Sequence, residues 1–273
     1  MKSVQSYFYD FQRFGLTPTK LVARLGGRAE KVPRVLTVTM PKSGTNLLQR
    51  ILVLHVLLSR AWLPTLGRRN SDIWKDPKAL LGSVGAGRIV STHFDFDMNL
   101  ARLIKDELQY KILLMIRDPR DAVISDMHYI LSWPGHSQKT LFESMASDKE
   151  RLMTLISGSD VVRPIREQIL RFSGWADYAH LIRFEDAVGA GGGGSDDMQR
   201  MVVGGIFDYL GISLSDSELE FISANCRSAK TQTFRTGAIR NWERVFDADL
   251  SRAFKDQAGD LLVELGYEKS YDW

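Results

Sequence analysis

The sequence has almost no cysteine: Cys226 is the only one among 273 residues. This excludes both an intramolecular disulfide and a zinc cluster built from cysteines. Such sparse use of cysteine is typical of proteins in a reducing compartment, and we expect a cytoplasmic protein.

Long apolar runs are also missing. The longest, Ile51–Leu58, is far shorter than the about 20 residues that a membrane-spanning helix needs, and it contains His55. The first residues, MKSVQSYFYDFQRFG, mix aromatic and charged side chains where a signal peptide would have an uninterrupted apolar core. The sequence therefore predicts no membrane association.

Neither sign of charge dominates the chain. Lys and Arg number 36 and Asp and Glu number 33, which gives a formal net charge of +3. This excess is too small to indicate bulk binding of nucleic acid, but it is compatible with a local site for an anionic ligand. A hydrophobic fraction of 44% and a charged fraction of 25% are typical of a soluble globular protein. The length alone permits one large domain or two small ones, and we interpret the chain as one domain.

The most informative stretch is Arg34–Leu58, which reads RVLTVTM, PKSGTN and LLQRILVLHVLL. Its first part predicts a buried strand, and the Leu and Ile residues after Asn46 recur at helical spacing. In a unit of strand, turn and helix, consecutive backbone N–H groups and the positive end of the helix dipole point at whatever lies in the turn. This arrangement favours the binding of phosphate or sulfate. Gly44 allows close backbone approach, Lys42 adds positive charge, and Thr45 and Asn46 can cap the helix or donate to the anion.

The hexapeptide PKSGTN is by itself equally compatible with an ordinary connection from strand to helix. It is not a Walker A loop, because that pattern ends in Gly-Lys-Ser/Thr and opens with another glycine. Here Lys42 precedes Gly44, and Thr39 stands where the first glycine would be. Nucleotide hydrolysis is therefore the weaker hypothesis.

Strands and helices alternate along the rest of the chain. Further strands are predicted at 88–94, 110–116 and 180–184, and helices at 97–108, 119–131, 141–156, 161–172, 196–210, 215–228 and 247–265. This order predicts an α/β fold in which a central parallel sheet of about four to five strands is flanked by helices on both faces.

Two connections differ from the rest in composition. Residues 62–87, rich in glycine and containing Trp62 and Trp74, predict a long loop with one helical turn. The run VGAGGGGS at 188–195 lacks the spacing of a phosphate loop and predicts a flexible surface connection.

The predicted sheet brings three polar side chains to one edge. Lys42, His93 and Arg117 each follow the carboxyl end of a predicted strand. Ligands of parallel sheets bind at this edge, so the three residues indicate a site for an anion next to an imidazole.

Three motifs, in this order, resemble the sulfotransferases that use 3′-phosphoadenosine 5′-phosphosulfate. The motif PKSGTN at 41–46 is similar to their 5′-phosphosulfate loop, and IRDPRDAVIS at 116–125 to their 3′-phosphate motif. The segment FRTGAIRNWERVF at 234–246 resembles the C-terminal segment that closes over the nucleotide. The resemblance implies a fold like that of the P-loop nucleoside triphosphate hydrolases. It also implies edge helices over 1–33, a nucleotide and catalytic core over 34–246 and a C-terminal helix over 247–273.

The resemblance implies a role for individual residues. Lys42 and His93 would be catalytic, Lys42 at the bridging oxygen of the donor and His93 as the general base toward the acceptor. The remaining nucleotide-binding residues would be Ser43, Gly44, Thr45, Asn46, Arg117, Ser125, Phe184, Ser228, Arg235, Thr236 and Gly237. No metal is implied, and the partner would be a small-molecule acceptor carrying a hydroxyl or amine group.

The sequence departs from the family pattern at several of these positions. Leu47 replaces an aromatic residue that packs on adenine, and Ser91 replaces a Lys that precedes the catalytic histidine. Phe184 stands where many members have Tyr, and Arg240 replaces the second Gly of the C-terminal pattern. These changes affect contacts with the nucleotide more than the class of reaction.

Two other functions remain open from the sequence. One is a P-loop phosphotransferase acting on a small molecule, although neither a Walker A Ser or Thr nor a clear strand-terminal Asp for magnesium is present. The other is a nucleotide-binding relative without catalysis. Asp95 and Asp97, just beyond His93, are interpreted as caps or surface acids, and the acceptor and the oligomeric state are left open.

Overall fold

A computed structural model describes residues 19–20, 22, 31–67, 75–227 and 237–273 of the chain. In these residues, five parallel strands form one sheet in the order β2-β3-β1-β4-β5. The strands are β1 Val35–Thr39, β2 Ser59–Arg60, β3 Arg88–Thr92, β4 Lys111–Ile116 and β5 His180–Arg183. The predicted α/β fold with a parallel sheet of about four to five strands is confirmed, and the two-residue β2 is the strand that was not predicted.

Helices connect the strands and cover both faces of the sheet. The helices are α1 Thr45–Leu54, α2 Pro77–Gly82, α3 Met98–Arg102, α4 Pro119–Ser132, α5 Lys139–Ser144, α6 Asp148–Ser157, α7 Ile165–Ser173, α8 Phe184–Ala187, α9 Asp196–Leu210, α10 Asp216–Asn225, α11 Trp242–Val245 and α12 Ala248–Glu264. The described residues also include a π-helical turn, Leu103–Glu107, and two 3-10 turns, Gly174–Asp177 and Ala190–Gly192. No helix in the described part of the chain is long and apolar enough to span a membrane.

The strands alternate their side chains between two apolar layers. Leu36 and Val38 of β1 face a layer that includes α4, α6, α7 and α12. Val35 of β1 faces the other layer, which includes α1 and α9. Because β1 pairs with β3 on one side and β4 on the other, it is buried at the centre of the sheet.

Some predicted element boundaries are wrong. The single helix predicted over 141–156 is two helices, because Met145 is extended and Ser147 caps a new helix by accepting from the Glu150 N–H. The helix predicted from 161 begins at Ile165, since Pro164 disfavours helical geometry in the residue before it.

The glycine-rich segment is more compact than a flexible surface connection. The Gly194 N–H donates to the Gly189 carbonyl over 3.0 Å, and Gly192 is buried. The Gly192 carbonyl accepts from the Ile239 N–H over 3.0 Å, which joins this segment to the C-terminal part of the chain. Glycine is required at 192 because a Cβ there would lie 2.7 Å from the Gly237 carbonyl oxygen.

A buried arginine joins the start of α4 to the C-terminal end of the chain. The Arg120 guanidinium donates to both oxygens of Asp118 and, over 2.5 Å, to Glu268. It also lies over the rings of Trp242, at 3.7 Å, and Trp273, at 4.5 Å. Asp118 in turn caps α4 by accepting from the Arg120 N–H, as the sequence predicted.

We expect Arg120→Ala to lower the free energy of unfolding by about 3–5 kcal/mol, because it leaves the buried Asp118 carboxylate without its cation. The exposed pair Arg163–Glu167 provides a control, and Arg163→Ala should cost less than about 1 kcal/mol. Urea unfolding of both variants and the wild type measures the difference. Equal losses in the two variants would contradict the proposed role of Arg120.

Candidate active site

The carboxyl ends of β1, β3 and β4 open into one cavity of about 670 Å³. Its lining residues are Pro41, Lys42, Gly44, Thr45, Asn46, Leu47, Arg50, Thr65, His93, Arg117, Asp121, Ile124, Ser125, Asp126, Tyr129, His136, Gln168, Phe184, Val188, Cys226, Arg227, Gly237 and Asn241. The predicted meeting of Lys42, His93 and Arg117 at this edge is therefore observed.

The turn after β1 has an unusual backbone. Gly44, the N-cap of α1, has a φ of 105°, and Lys42 has a φ of 69° although it carries a side chain. A Cβ at position 44 would lie 2.6 Å from Phe184 Cδ2 and 2.7 Å from Met115 Sδ. Glycine is thus required at this position both by the backbone angle and by the neighbouring side chains.

The His93 ring is held by the end of β1. Its Nδ1 lies 2.7 Å from the Thr39 carbonyl oxygen and 3.2 Å from Thr39 Oγ1. A carbonyl can only accept, so Nδ1 carries the proton and the opposite nitrogen, Nε2, keeps its lone pair. Burial lowers the pKa of His93, and the nearby Lys42 ammonium lowers it further, against the opposing effect of the Thr39 bond. The ring is therefore neutral at physiological pH.

Lys42 lies in a partly desolvated position beside α4. Its Nζ is 4.1 Å from the centre of the Tyr129 ring. Burial lowers the pKa of Lys42, Asp126 acts to raise it, and Arg117 acts to lower it. Desolvation also raises the pKa of Asp126 to about 6, while Lys42 opposes this shift.

Arg117 is buried between the turn and the C-terminal segment. Its Nη2 donates to the Ala238 carbonyl over 2.8 Å and lies 3.6 Å from Asp121 Oδ2. Its guanidinium carbon is 4.5 Å from the centre of the Phe184 ring. Phe184, which lacks the hydroxyl of a tyrosine, thus contributes a ring face that packs on both Arg117 and Gly44.

The described part of the C-terminal segment closes one side of the cavity. The Trp242 N–H donates to Asp121 Oδ1 over 3.0 Å, and the Asn241 amide donates to the Ala238 carbonyl over 2.7 Å. Gly237 and Asn241 line the cavity. Closure of this segment over a ligand stays a prediction.

Most of the predicted site residues line the cavity. These are Lys42, Gly44, Thr45, Asn46, His93, Arg117, Ser125, Phe184 and Gly237. Ser43 is instead buried behind the turn. Ser228, Arg235 and Thr236 lie outside the described residues, as does Trp74. Asp97 caps α3, as expected, whereas Asp95 is a largely buried carboxylate that pairs with Arg171 and not a cap or a surface acid.

Sequence reasoning missed several polar residues of the cavity. Asp126 and Tyr129 follow Ser125 on α4, and His136 follows the same helix. The spacing of Arg117, Asp121, Ser125 and Tyr129, four residues apart, was a usable signal for one helix face. Gln168 comes from α7, more than forty residues later, and carried no local signal.

The turn and Arg117 fit a phosphate or sulfate group. Arg117 lines the cavity, and its Nε is a buried donor without a hydrogen-bond partner in the described structure. The turn leads directly into the N-terminus of α1, where free backbone N–H groups favour an anion. The donor set therefore suits the phosphosulfate and the phosphate of the nucleotide that the three motifs imply.

This fold and site define an α/β protein with a cavity at the carboxyl edge of its parallel sheet, lined by Lys42, His93 and Arg117. Residues 32–186, more than half of the chain, match the family described as Sulfotransferase domain. The chain belongs to the sulfotransferase family, whose donor is 3′-phosphoadenosine 5′-phosphosulfate.

Two individual proteins show the extent of the similarity. Sulfotransferase 6B1 of Mus musculus is 24% identical over 204 residues, which are 68% of this chain and 61% of that protein. The chain thus spans only 61% of the length of this curated relative. The crystal structure of mouse sulfotransferase SULT7A1 complexed with PAP has the same fold, with a TM-score of 0.61 and 17% identity over 86% of this chain and 88% of that one.

We expect Gly44→Ala to destabilise the protein by about 1–3 kcal/mol, because alanine is strained at this φ and its Cβ collides with Phe184 and Met115. Gly85→Ala is the matched control, since no atom lies within 4 Å of its added Cβ. Thermal unfolding of the two variants measures the effect. If they melt at the same temperature, the turn does not depend on glycine.

Proposed function

We propose that this chain transfers a sulfuryl group from 3′-phosphoadenosine 5′-phosphosulfate to a hydroxyl or amine group of a small-molecule acceptor. The observation that carries the proposal is the bond from His93 Nδ1 to the Thr39 carbonyl, in a cavity that also contains Lys42. This bond leaves Nε2 as a base, next to a cation that can stabilise a leaving phosphate. Membership of the sulfotransferase family supports the same reaction.

The reaction is an in-line displacement at sulfur. As the acceptor oxygen bonds to sulfur, the bond from sulfur to the bridging oxygen breaks and its electron pair stays on the departing nucleotide. His93 Nε2 takes the proton of the acceptor hydroxyl. Lys42 stabilises the negative charge that grows on the bridging oxygen, a contribution larger in the transition state than in the ground state.

The remaining proposed roles concern the nucleotide. Ser43, Gly44, Thr45 and Asn46 hold the 5′-phosphosulfate at the start of α1. Arg117 and Ser125 hold the 3′-phosphate, for which a guanidinium and a hydroxyl are suitable donors. Arg117 is already oriented by the Ala238 carbonyl and the Phe184 ring, which limits the conformational entropy lost on binding.

The donor is tested with the desulfated nucleotide, 3′-phosphoadenosine 5′-phosphate. At about 100 times its dissociation constant it should add about 2.7 kcal/mol to stability, measured as a rise in melting temperature. AMP and magnesium-ATP should have smaller effects at equal concentration, because they lack the 3′-phosphate. Arg117→Ala should reduce the ratio of the affinity for 3′-phosphoadenosine 5′-phosphate to that for AMP by roughly ten- to a hundredfold. Equal or greater stabilisation by magnesium-ATP would support a phosphotransferase instead.

The general base is tested by His93→Asn, which retains a hydrogen-bonding side chain of similar shape. Turnover should fall roughly 10²- to 10⁴-fold, while the melting shift given by 3′-phosphoadenosine 5′-phosphate should be nearly unchanged because His93 faces the acceptor. His180→Asn, at the opposite edge of the sheet, should keep normal turnover. Near-normal turnover of His93→Asn would refute the assignment. Turnover absent even from the wild type, with the nucleotide bound, would indicate a relative without catalysis.

A further inference from the structure

Asp126 is a cavity residue to which the proposed reaction gives no role. It follows Ser125 on α4 and lines the main cavity together with Lys42 and His93. It also borders a small space of about 10 Å³, lined in addition by Met40, Pro41 and Gln168. Met40 and Pro41 directly precede Lys42, so Asp126 lies on the Lys42 side of the cavity.

This carboxylate has little compensation from the protein. With a pKa of about 6, Asp126 is mostly ionised at neutral pH although desolvation disfavours its charge. The Lys42 ammonium acts on it electrostatically, but no ion pair among the described residues joins the two side chains. A carboxylate in such a place is stabilised by a cation that comes closer.

Binding of the donor makes a cation close to Asp126 more favourable. The inference rests on the proposed function, in which Lys42 faces the phosphosulfate. Lys42 then compensates the charge of the donor, and Asp126 confronts a second anion in the same cavity. A protonated amine on the acceptor would supply positive charge beside Asp126.

The walls around Asp126 suit a polar acceptor with a cationic group. Gln168 offers an amide next to Asp126. Tyr129 lines the cavity together with His136, its ring centre 5.6 Å from that of His136. The Lys42 ammonium lies 4.1 Å from the centre of the same Tyr129 ring in this structure, and the proposed turn of Lys42 toward the donor would free this aromatic face. Aromatic faces and a carboxylate together are the usual surroundings of a bound ammonium group.

We propose that Asp126 determines acceptor specificity by binding a protonated amine of an acceptor whose hydroxyl group is sulfated. The ammonium nitrogen has no lone pair, so it cannot attack sulfur while Asp126 holds it. His93 Nε2 takes the proton of the hydroxyl, and the product is an O-sulfate ester that keeps its ammonium group.

The test uses two matched pairs of acceptors, tyramine with 4-ethylphenol and 6-amino-1-hexanol with 1-hexanol. In the wild type, kcat/KM for the amine should exceed that for its neutral partner by about tenfold or more, as expected for one charge-assisted contact. Asp126→Asn should bring this ratio close to one, and Asp126→Glu should restore much of it. The exposed Asp106→Asn removes the same charge outside the cavity and should leave the ratio unchanged. Fragmentation in mass spectrometry should place the sulfate on oxygen.

Several outcomes would overturn the proposal. These are a wild-type ratio of one or less, a ratio that Asp126→Asn does not change, or sulfate on nitrogen. If none of the four compounds is turned over, their binding is compared by saturation-transfer NMR in the presence of 3′-phosphoadenosine 5′-phosphate. If each amine then binds no more tightly than its neutral partner, the proposal is also overturned. Absence of a melting response to that nucleotide would instead refute the sulfuryl-transfer proposal on which this inference rests.

Discussion

The packing of the turn after β1 against Met115 of β4 and Phe184 of α8 is the constraint on which the site depends. Gly44 has room only for a hydrogen between these two side chains, so the start of α1, which Gly44 caps, is fixed close to β4 and α8. The same close approach brings Phe184 under Arg117 and orients the N-terminus of α1 toward the cavity. Movement of this turn would displace the anion-binding groups together, since they share one piece of backbone.

Buried charge around the start of α4 connects the site to the end of the chain. Arg120 is compensated by Asp118 and Glu268, and it is structural. Arg117, one turn earlier, is less completely compensated, with one buried nitrogen free of partners in the described structure. Burial raises the pKa of Asp121, which faces Arg117 and the Trp242 N–H. Two arginines three residues apart thus differ in how fully their donors are used: Arg120 is paired with two carboxylates, and Arg117 retains a buried donor without a partner in the described structure.

The cavity has different chemistry at its two ends. Near α1 and Arg117 it offers donors and positive charge, as a phosphorylated nucleotide requires. Near α4 and α7 it offers the Asp126 carboxylate, an amide and the rings of Tyr129 and His136. His93 and Lys42 line the same cavity.

Much of the fold was predictable from the sequence because its signals are local. The buried β1, the turn PKSGTN and the Asp118–Pro119 start of α4 are set by β-branched and apolar runs, by a glycine and by a cap within a few residues of each other. Boundaries were predicted wrongly where a cap or a proline interrupted a continuous apolar pattern, as at Ser147 and Pro164.

By itself, the sequence determined that Lys42, His93 and Arg117 would share one edge of a parallel sheet, since each follows a strand and parallel strands end together. It did not determine the tautomer of His93 or the orientation of the Arg117 side chain. The His93 tautomer depends on the Thr39 carbonyl 54 residues earlier, and the orientation of Arg117 depends on Ala238, 121 residues later. Asp126 was not singled out from the sequence, and only the folded structure shows that burial raises its pKa to about 6 while Lys42 opposes this shift. Protonation and compensation of charge depend on burial and on distant partners, and these exist only when the chain is folded.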